Sequence, residues 1–397
     1  MKIKSSFSSF AILLLVATVL YYGIVLTRDI SPWQIISGAG SSLKKLLPAK
    51  KWPYPVVDSG YNVTCELTYA GCIRWIDNER VLFIGLANRS EFQLAENVIP
   101  KDETAPIYLW EVKSNRMTRI ADQAFLRDFC AADDGYIAYV RPSTPGYVIQ
   151  VEGYIGQLTE RQVKIQSPEE RDEEMSRKFQ DGTLVLRNRF SCREQLIPKG
   201  IYPRGISYGG SVFQLHPPYG YLYWGALEEW KQPLTYVSQQ LDKRIDLPVK
   251  RWQIDTFDYQ YIPWENAYLL WGNEVSPGFT TNWPKNTPKP LTLFYPQEGR
   301  VATIEIPASA LLNSTGAYRL TKRGLFFSGA QKASTYGGSQ YLLVNDKAVR
   351  IFSGWLKDVH VSPNGCRIAI TIRDEDKTFG MAFGVLKVID LCKEEEK

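Results

Sequence analysis

The stretch Leu356–Ala369 reads LKDVHVSPNGCRIA, and the fold is decided by how it is read. Val359 and Val361 alternate with Asp358 and His360, the period of two expected of a strand. Ser362-Pro363-Asn364-Gly365 then reads as a turn: proline fixes φ, asparagine can bond its own backbone, and glycine accepts positive φ. Arg367–Arg373 (RIAITIR) supplies a second strand. The same order recurs at Leu126–Tyr139, LRDFCAADDGYIAY, 230 residues earlier, or five steps of 46. A weaker echo is Trp252-Gln-Ile-Asp255, so Asp128, Asp255 and Asp358 hold equivalent places.

The motif Val361-Ser-Pro-Asn-Gly365 with Ile368, Ala369 and Ile370 resembles the blade repeat of TolB-like and WD40-like β-propellers. In those repeats a strand, an S-P-D/N-G turn and a second strand recur in every blade, with a period of about 40–45 residues in the WD40 kind. The resemblance is clear in the last copy and partial around Asp133-Asp134-Gly135. It implies an all-β, six- to seven-bladed β-propeller, with seven favoured by the 230-residue spacing. It implies a fold only, because this repeat serves many functions.

Other short apolar runs fit that expectation: RVLFIGL (80–86), YIAYVR (136–141), YLLWG (268–272) and GLFFS (324–328). Each reads as a strand with one buried face. Paired strands place blades at Ile73–Ile120, Gly205–Val249, Trp252–Ile306 and Tyr318–Ser353, while 166–200 reads as a degenerate blade or an insertion. A segment around Tyr61–Thr68 is expected to complete the last blade beside Val385–Leu391, removing exposed edges. If 366–373 and 383–392 form a hairpin, Cys366 faces Cys392, which predicts a disulfide.

The chain has 397 residues, 44% of them hydrophobic and 22% charged, which excludes a disordered or fibrous protein. Formal charge is +5, too mild for a nucleic-acid binder. Phe10–Leu26 is 17 residues without a charge, flanked by Lys2, Lys4 and Arg28. That length suits a short membrane span and exceeds a signal-peptide core of about 7–15 residues. The expected order is a short cytoplasmic N-terminus (1–9), a transmembrane signal-anchor (10–27), a linker (28–60), the propeller (61–392) and a charged tail (393–397). All six cysteines lie after the span without metal spacing, which suits disulfides in an oxidising compartment. The expected location is therefore single-pass, N-terminus cytoplasmic and C-terminal domain extracytoplasmic. The sequons at Asn62, Asn88 and Asn313 are glycosylation candidates on that same side.

Catalytic motifs are thin. Gly205-Ile-Ser-Tyr-Gly209 matches G-x-S-x-G, but Pro203 interrupts the required strand and Pro217-Pro218 stop the required helix. It reads as a glycine-rich hairpin. Two histidines, His216 and His360, cannot make a multi-His centre, so no metal and no cofactor are expected. Asp374-Glu-Asp376 lacks the spacing of a calcium loop. Asp128, Asp255 and Asp358 could converge as paired acids of the kind propeller glycosidases use. A repeated Asp is more often a turn or cap acceptor for backbone N–H groups, so no catalytic residue is assigned.

The aromatic residues are unevenly spread. Between Tyr202 and Trp283, 18 of 82 residues are Phe, Trp or Tyr, 22% against 13% overall. Tyr219, Tyr221, Tyr223, Trp224, Trp230, Trp264 and Trp283 lie beside Gly and Pro and read as loop residues able to stack on sugars or proteins. The expected function is a binding or scaffold module for a carbohydrate, envelope or protein ligand. The alternatives are a glycan-acting hydrolase using paired carboxylates and a structural subunit of a membrane complex.

Overall fold

The structure is a computed structural model. It describes residues 53–64, 72–86, 104–167, 169–170, 184–187, 192–197, 211–215, 220–224, 234–249, 257–272, 287–308, 314–330, 339–353, 356–372 and 383–393. The expected span at 10–27 lies outside them, as do Asn88, Asn313, Asp255, the 205–209 motif, His216 and 374–376.

Twenty-six strands are described, and they run in chain order as antiparallel meanders. A leading strand, β1 (Val56–Thr64), precedes the first four: β2 (Ile73–Trp75), β3 (Arg80–Leu86), β4 (Thr104–Glu111) and β5 (Arg116–Phe125). The second sheet holds β6 (Cys130–Ala131), β7 (Tyr136–Pro142), β8 (Tyr147–Tyr154) and β9 (Gln157–Lys164). A two-stranded sheet follows, β10 (Leu184–Arg187) with β11 (Glu194–Ile197). Then come β12 (Ser211–Gln214), β13 (Tyr221–Trp224), β14 (Leu234–Val237) and β15 (Arg244–Leu247). The next sheet is β16 (Phe257–Ile262), β17 (Ala267–Gly272), β18 (Lys289–Tyr295) and β19 (Arg300–Ile306). After it lie β20 (Ser314–Thr321), β21 (Gly324–Ala330), β22 (Ser339–Val344) and β23 (Lys347–Ser353). The last three strands are β24 (Leu356–Val361), β25 (Arg367–Ile372) and β26 (Phe383–Asp390).

β1 does not belong to the first meander. It pairs along its length with β26, Val56 opposite Ile389 and Thr64 opposite Phe383, and touches β3 only at Asn62 and Val63. The chain's first described strand thus completes its last sheet. Val63 turns into the core, Ser59 donates from its hydroxyl to the Leu386 carbonyl, and Lys387 pairs with Asp58. β1 begins at Val56, so residues 56–60 belong to the sheet rather than to the expected linker. Pro55 ends the non-strand approach, and its carbonyl accepts the Asp390 N–H at 3.0 Å.

Consecutive sheets pack face to face. One apolar cluster joins β12–β15 to β16–β19 through Leu222, Tyr236, Leu270 and Phe294. Another joins β16–β19 to β20–β23 through Leu269, Trp271, Tyr318 and Phe327. Others join β20–β23 to the closing sheet, and the closing sheet to the first and second. Within β17, Tyr268 and Leu270 face one neighbour while Leu269 and Trp271 face the other. This corrects the expectation of one buried face per strand. A sheet between two sheets buries both, which is why β3 is buried at five successive positions and reads RVLFIGL. All-β architecture with meandering sheets packed in series and closed by β1 is the β-propeller arrangement.

The sequence echo survives in the backbone. Gly135 and Gly365 both take positive φ, 82° and 75°, and each donates its N–H three residues back, to Ala132 and Ser362. Asp134 Oδ1 accepts the Tyr136 N–H and Asn364 Oδ1 the Cys366 N–H, so the two turns are closed by the same side-chain device.

Candidate functional site

The first strands of neighbouring sheets lie against one another: β16 beside β20, β20 beside β24, β24 beside β2. Each is an edge strand, with one row of backbone groups unpaired within its own sheet. Side chains from neighbouring sheets meet those groups. Gln260 of β16 donates from Nε2 to the Leu320 carbonyl and accepts the Leu320 N–H, at 2.9 and 2.6 Å. Arg319 of β20 donates from Nε to the Val359 carbonyl of β24 at 3.0 Å. Across the closure, the Cys72 N–H donates to Asp358 Oδ2 at 3.1 Å and Trp75 Nε1 to the His360 carbonyl at 3.0 Å. Arg74 of β2 donates from Nε to the Ala131 carbonyl of β6 at 3.0 Å.

Asp358 and His360 are two apart on β24 and share a side, while Val359 between them is buried in the adjoining core. Their side chains are 15% and 16% exposed, with His360 Nε2 3.4 Å from Asp358 Oδ1. Burial pushes the Asp358 carboxyl up. His360, Arg319 and the Cys72 N–H outweigh it and hold the group at about 2. For His360, burial and the Arg74 and Arg319 guanidiniums pull the imidazole below its usual range, against the opposing pull of Asp358. At neutral pH the site holds a carboxylate, two guanidiniums and an uncharged imidazole. Cys72 Sγ lies 3.4 Å from Asp358 Oδ2, and since Cys72 is disulfide-bonded it has no proton to donate there.

Asp358 is therefore a tie between the last sheet and the first. A carboxyl held ionised at about 2 is no general acid, which needs a raised pKa, and is too weak a base to take a proton at neutral pH. Asp128 has a different setting. It ends a one-turn 3-10 segment, Leu126–Asp128, and is exposed, so the sequence equivalence of the two aspartates does not carry over to their surroundings.

The aromatic candidates divide. Tyr221, Tyr223 and Trp224 are not in a loop: they form β13, hydrogen-bonded to β12 and β14 on its two sides. Tyr221 is 5% exposed, and burial raises its phenol pKa. Gly220 and Pro218 suggested a loop, but the four residues between them and the next glycine are long enough for a middle strand. Trp264 does sit in the turn between β16 and β17. Its half-buried ring closes against Gly365, where an added methyl would lie 2.8 Å from Cη2. Tyr219, Trp230 and Trp283 lie outside the described residues. Asn62 is half-buried within β1, paired to Val385 and Leu86.

The predicted Cys366–Cys392 disulfide is present. The β25–β26 register pairs Arg367 with Asp390, one residue off the spacing used to expect it, and the bond still forms because both cysteines lie just beyond the paired ends. Sequence reasoning did not pair Cys130 with Cys192, which are also bonded. Arg193 follows, set over the Tyr136 and Tyr154 rings and paired with Asp134 at 2.8 Å. These contacts pin the segment beside β10–β11 onto the second sheet, and nothing local in the sequence signals a link 62 residues long.

No family model matches the chain, and no curated protein matches it. Similar solved structures include a chain of the mitotic checkpoint complex, at 10% identity and TM-score 0.43, covering 87% of this chain and 94% of that one. They also include the β-propeller domain of the Trilobed protease from Pyrococcus furiosus, at 9% identity and TM-score 0.31, covering 79% and 78%. TolB from Acinetobacter baumannii is similar at 9% identity and TM-score 0.33, covering 80% and 78%. The chain resembles WD40-like and TolB-like β-propellers, and the likeness is one of fold.

Proposed function

We propose that this protein is a seven-bladed β-propeller that works by binding, held at a membrane through residues 10–27 with the propeller on the extracytoplasmic side. Seven is supported by dividing the eight-stranded sheet at the short β1–β3 contact and counting the β10–β11 pair as a reduced blade. The disulfides support the compartment, since such bonds persist where the surroundings oxidise thiols. The observation that supports binding over acid–base catalysis is Asp358. Among the described residues it is the candidate acid placed among the converging strands, and it is spent on backbone N–H groups and held ionised. Recognition then falls to the loops, for a glycan, envelope or protein ligand.

The test is glycan-array binding of the fragment from Trp52 onward, which is a compact unit by itself. Trp264→Ala and Trp230→Ala serve as the loop variants. Selective glycan capture that weakens in either variant supports the reading. Turnover of a captured glycan that stops in Asp358→Asn would replace it with the hydrolase reading.

A further inference from the structure

The seam between the last sheet and the first is built around one histidine. β24 carries Asp358 and His360 on one side; across from it stand Cys72, just before β2, whose N–H meets Asp358, and Trp75 of β2, which meets the His360 carbonyl. Arg74 lies on β2 before Trp75, with its Nε bonded to the Ala131 carbonyl, and its positive charge bears on the imidazole. From the other flank Arg319 of β20 is fixed to the carbonyl of Val359, the residue before His360. Asp358, on the imidazole's own strand, is the near anion. Asp133, in the turn after β6, lies 3.5 Å from Arg74 and is half exposed.

We propose that His360 makes this closure acid-labile: its protonation sets a third cation between Arg74 and Arg319 and opens the seam that Asp358 and His360 hold against β2. The physical reason is asymmetry between the two states. In the closed seam the ring is mostly buried, two guanidiniums flank it, and one carboxylate, shared with the Cys72 N–H and Arg319, opposes them. In the opened seam the ring is in water and titrates near 6.5. The open form then binds the proton more readily, so acid favours opening. Asp358 does not contribute in this window, because its carboxyl titrates far lower in both forms. His216 is the one other histidine of the chain.

The closing experiment is hydrogen exchange of the whole protein at pH 7.5 and 5.5, corrected for intrinsic exchange rates. Amides of residues 72–75 and 356–361 are expected to open up to about tenfold more at pH 5.5, the ratio set by a free imidazole near 6.5. His360→Gln should abolish the difference, and His216→Gln should keep it. Unchanged protection of these strands, or an acid loss that persists in His360→Gln, overturns the proposal. If His360→Gln does not fold, NMR titration of the wild-type His360 ring decides: a midpoint below 6.5 supports the proposal, and one at or above 6.5 overturns it.

Discussion

At the scale of single residues, Asp358 shows how a polar side chain serves a propeller's interior. Its carboxylate accepts N–H groups from Cys72 in the first sheet and from Val359 in its own strand. Asp358→Ala removes the anion and leaves the Arg319 charge and those donors behind, which should cost about 3–5 kcal/mol in urea unfolding. The cost should depend on pH. The folded pKa, about 2, lies below the ordinary 3.8, so the stabilisation is present above pH 3.8 and fades as pH falls toward 2. The gap between wild type and variant should narrow over that interval. Gly365 makes a second case. Its φ of 75° and the Trp264 ring both resist a methyl group, so Gly365→Ala should cost about 1–3 kcal/mol. In a Trp264→Ala background the ring's steric share should vanish and the backbone share remain, which a double-mutant cycle reads directly.

At the scale of elements, what matters is how the strands are fastened. Cys366–Cys392 closes a loop of 26 residues around the last hairpin, and removing it should lower stability by about 3 kcal/mol. Peptide mapping without reductant should recover that pair and Cys130–Cys192. A free thiol at any of the four positions would contradict the structure. The hairpin bond was legible in the sequence because it needs only two neighbouring strands and their approximate register. The Cys130–Cys192 bond was not, because it depends on where a distant segment folds back. Strand β13 was misread for a related reason. Glycine and proline near Tyr221–Trp224 suggest a loop, and only pairing with β12 and β14 shows the stretch to be a middle strand.

For the whole molecule, closure is decisive. β1 supplies the outer strand of the last sheet, so a chain starting after Thr64 leaves β26 as a bare edge. Such a truncation should aggregate or lose its cooperative unfolding transition, seen by light scattering and calorimetry, whereas a chain starting at Trp52 should stay monodisperse. The sequence alone determined strands such as 80–86 and 367–372, the turn chemistry at Asp134-Gly135 and Asn364-Gly365, the existence of a repeat, and closure by a strand from the N-terminal side. All but the last are local, set by periodicity, φ preference and side chains bonding their own backbone. Only the tertiary structure decided that both faces of the middle sheets are buried, that Asp358 is a tie between sheets while Asp128 stays exposed, and that the closing strand starts at Val56. Each of these depends on which strand stands next to which, and a repeat in sequence does not say what lies across from it in space.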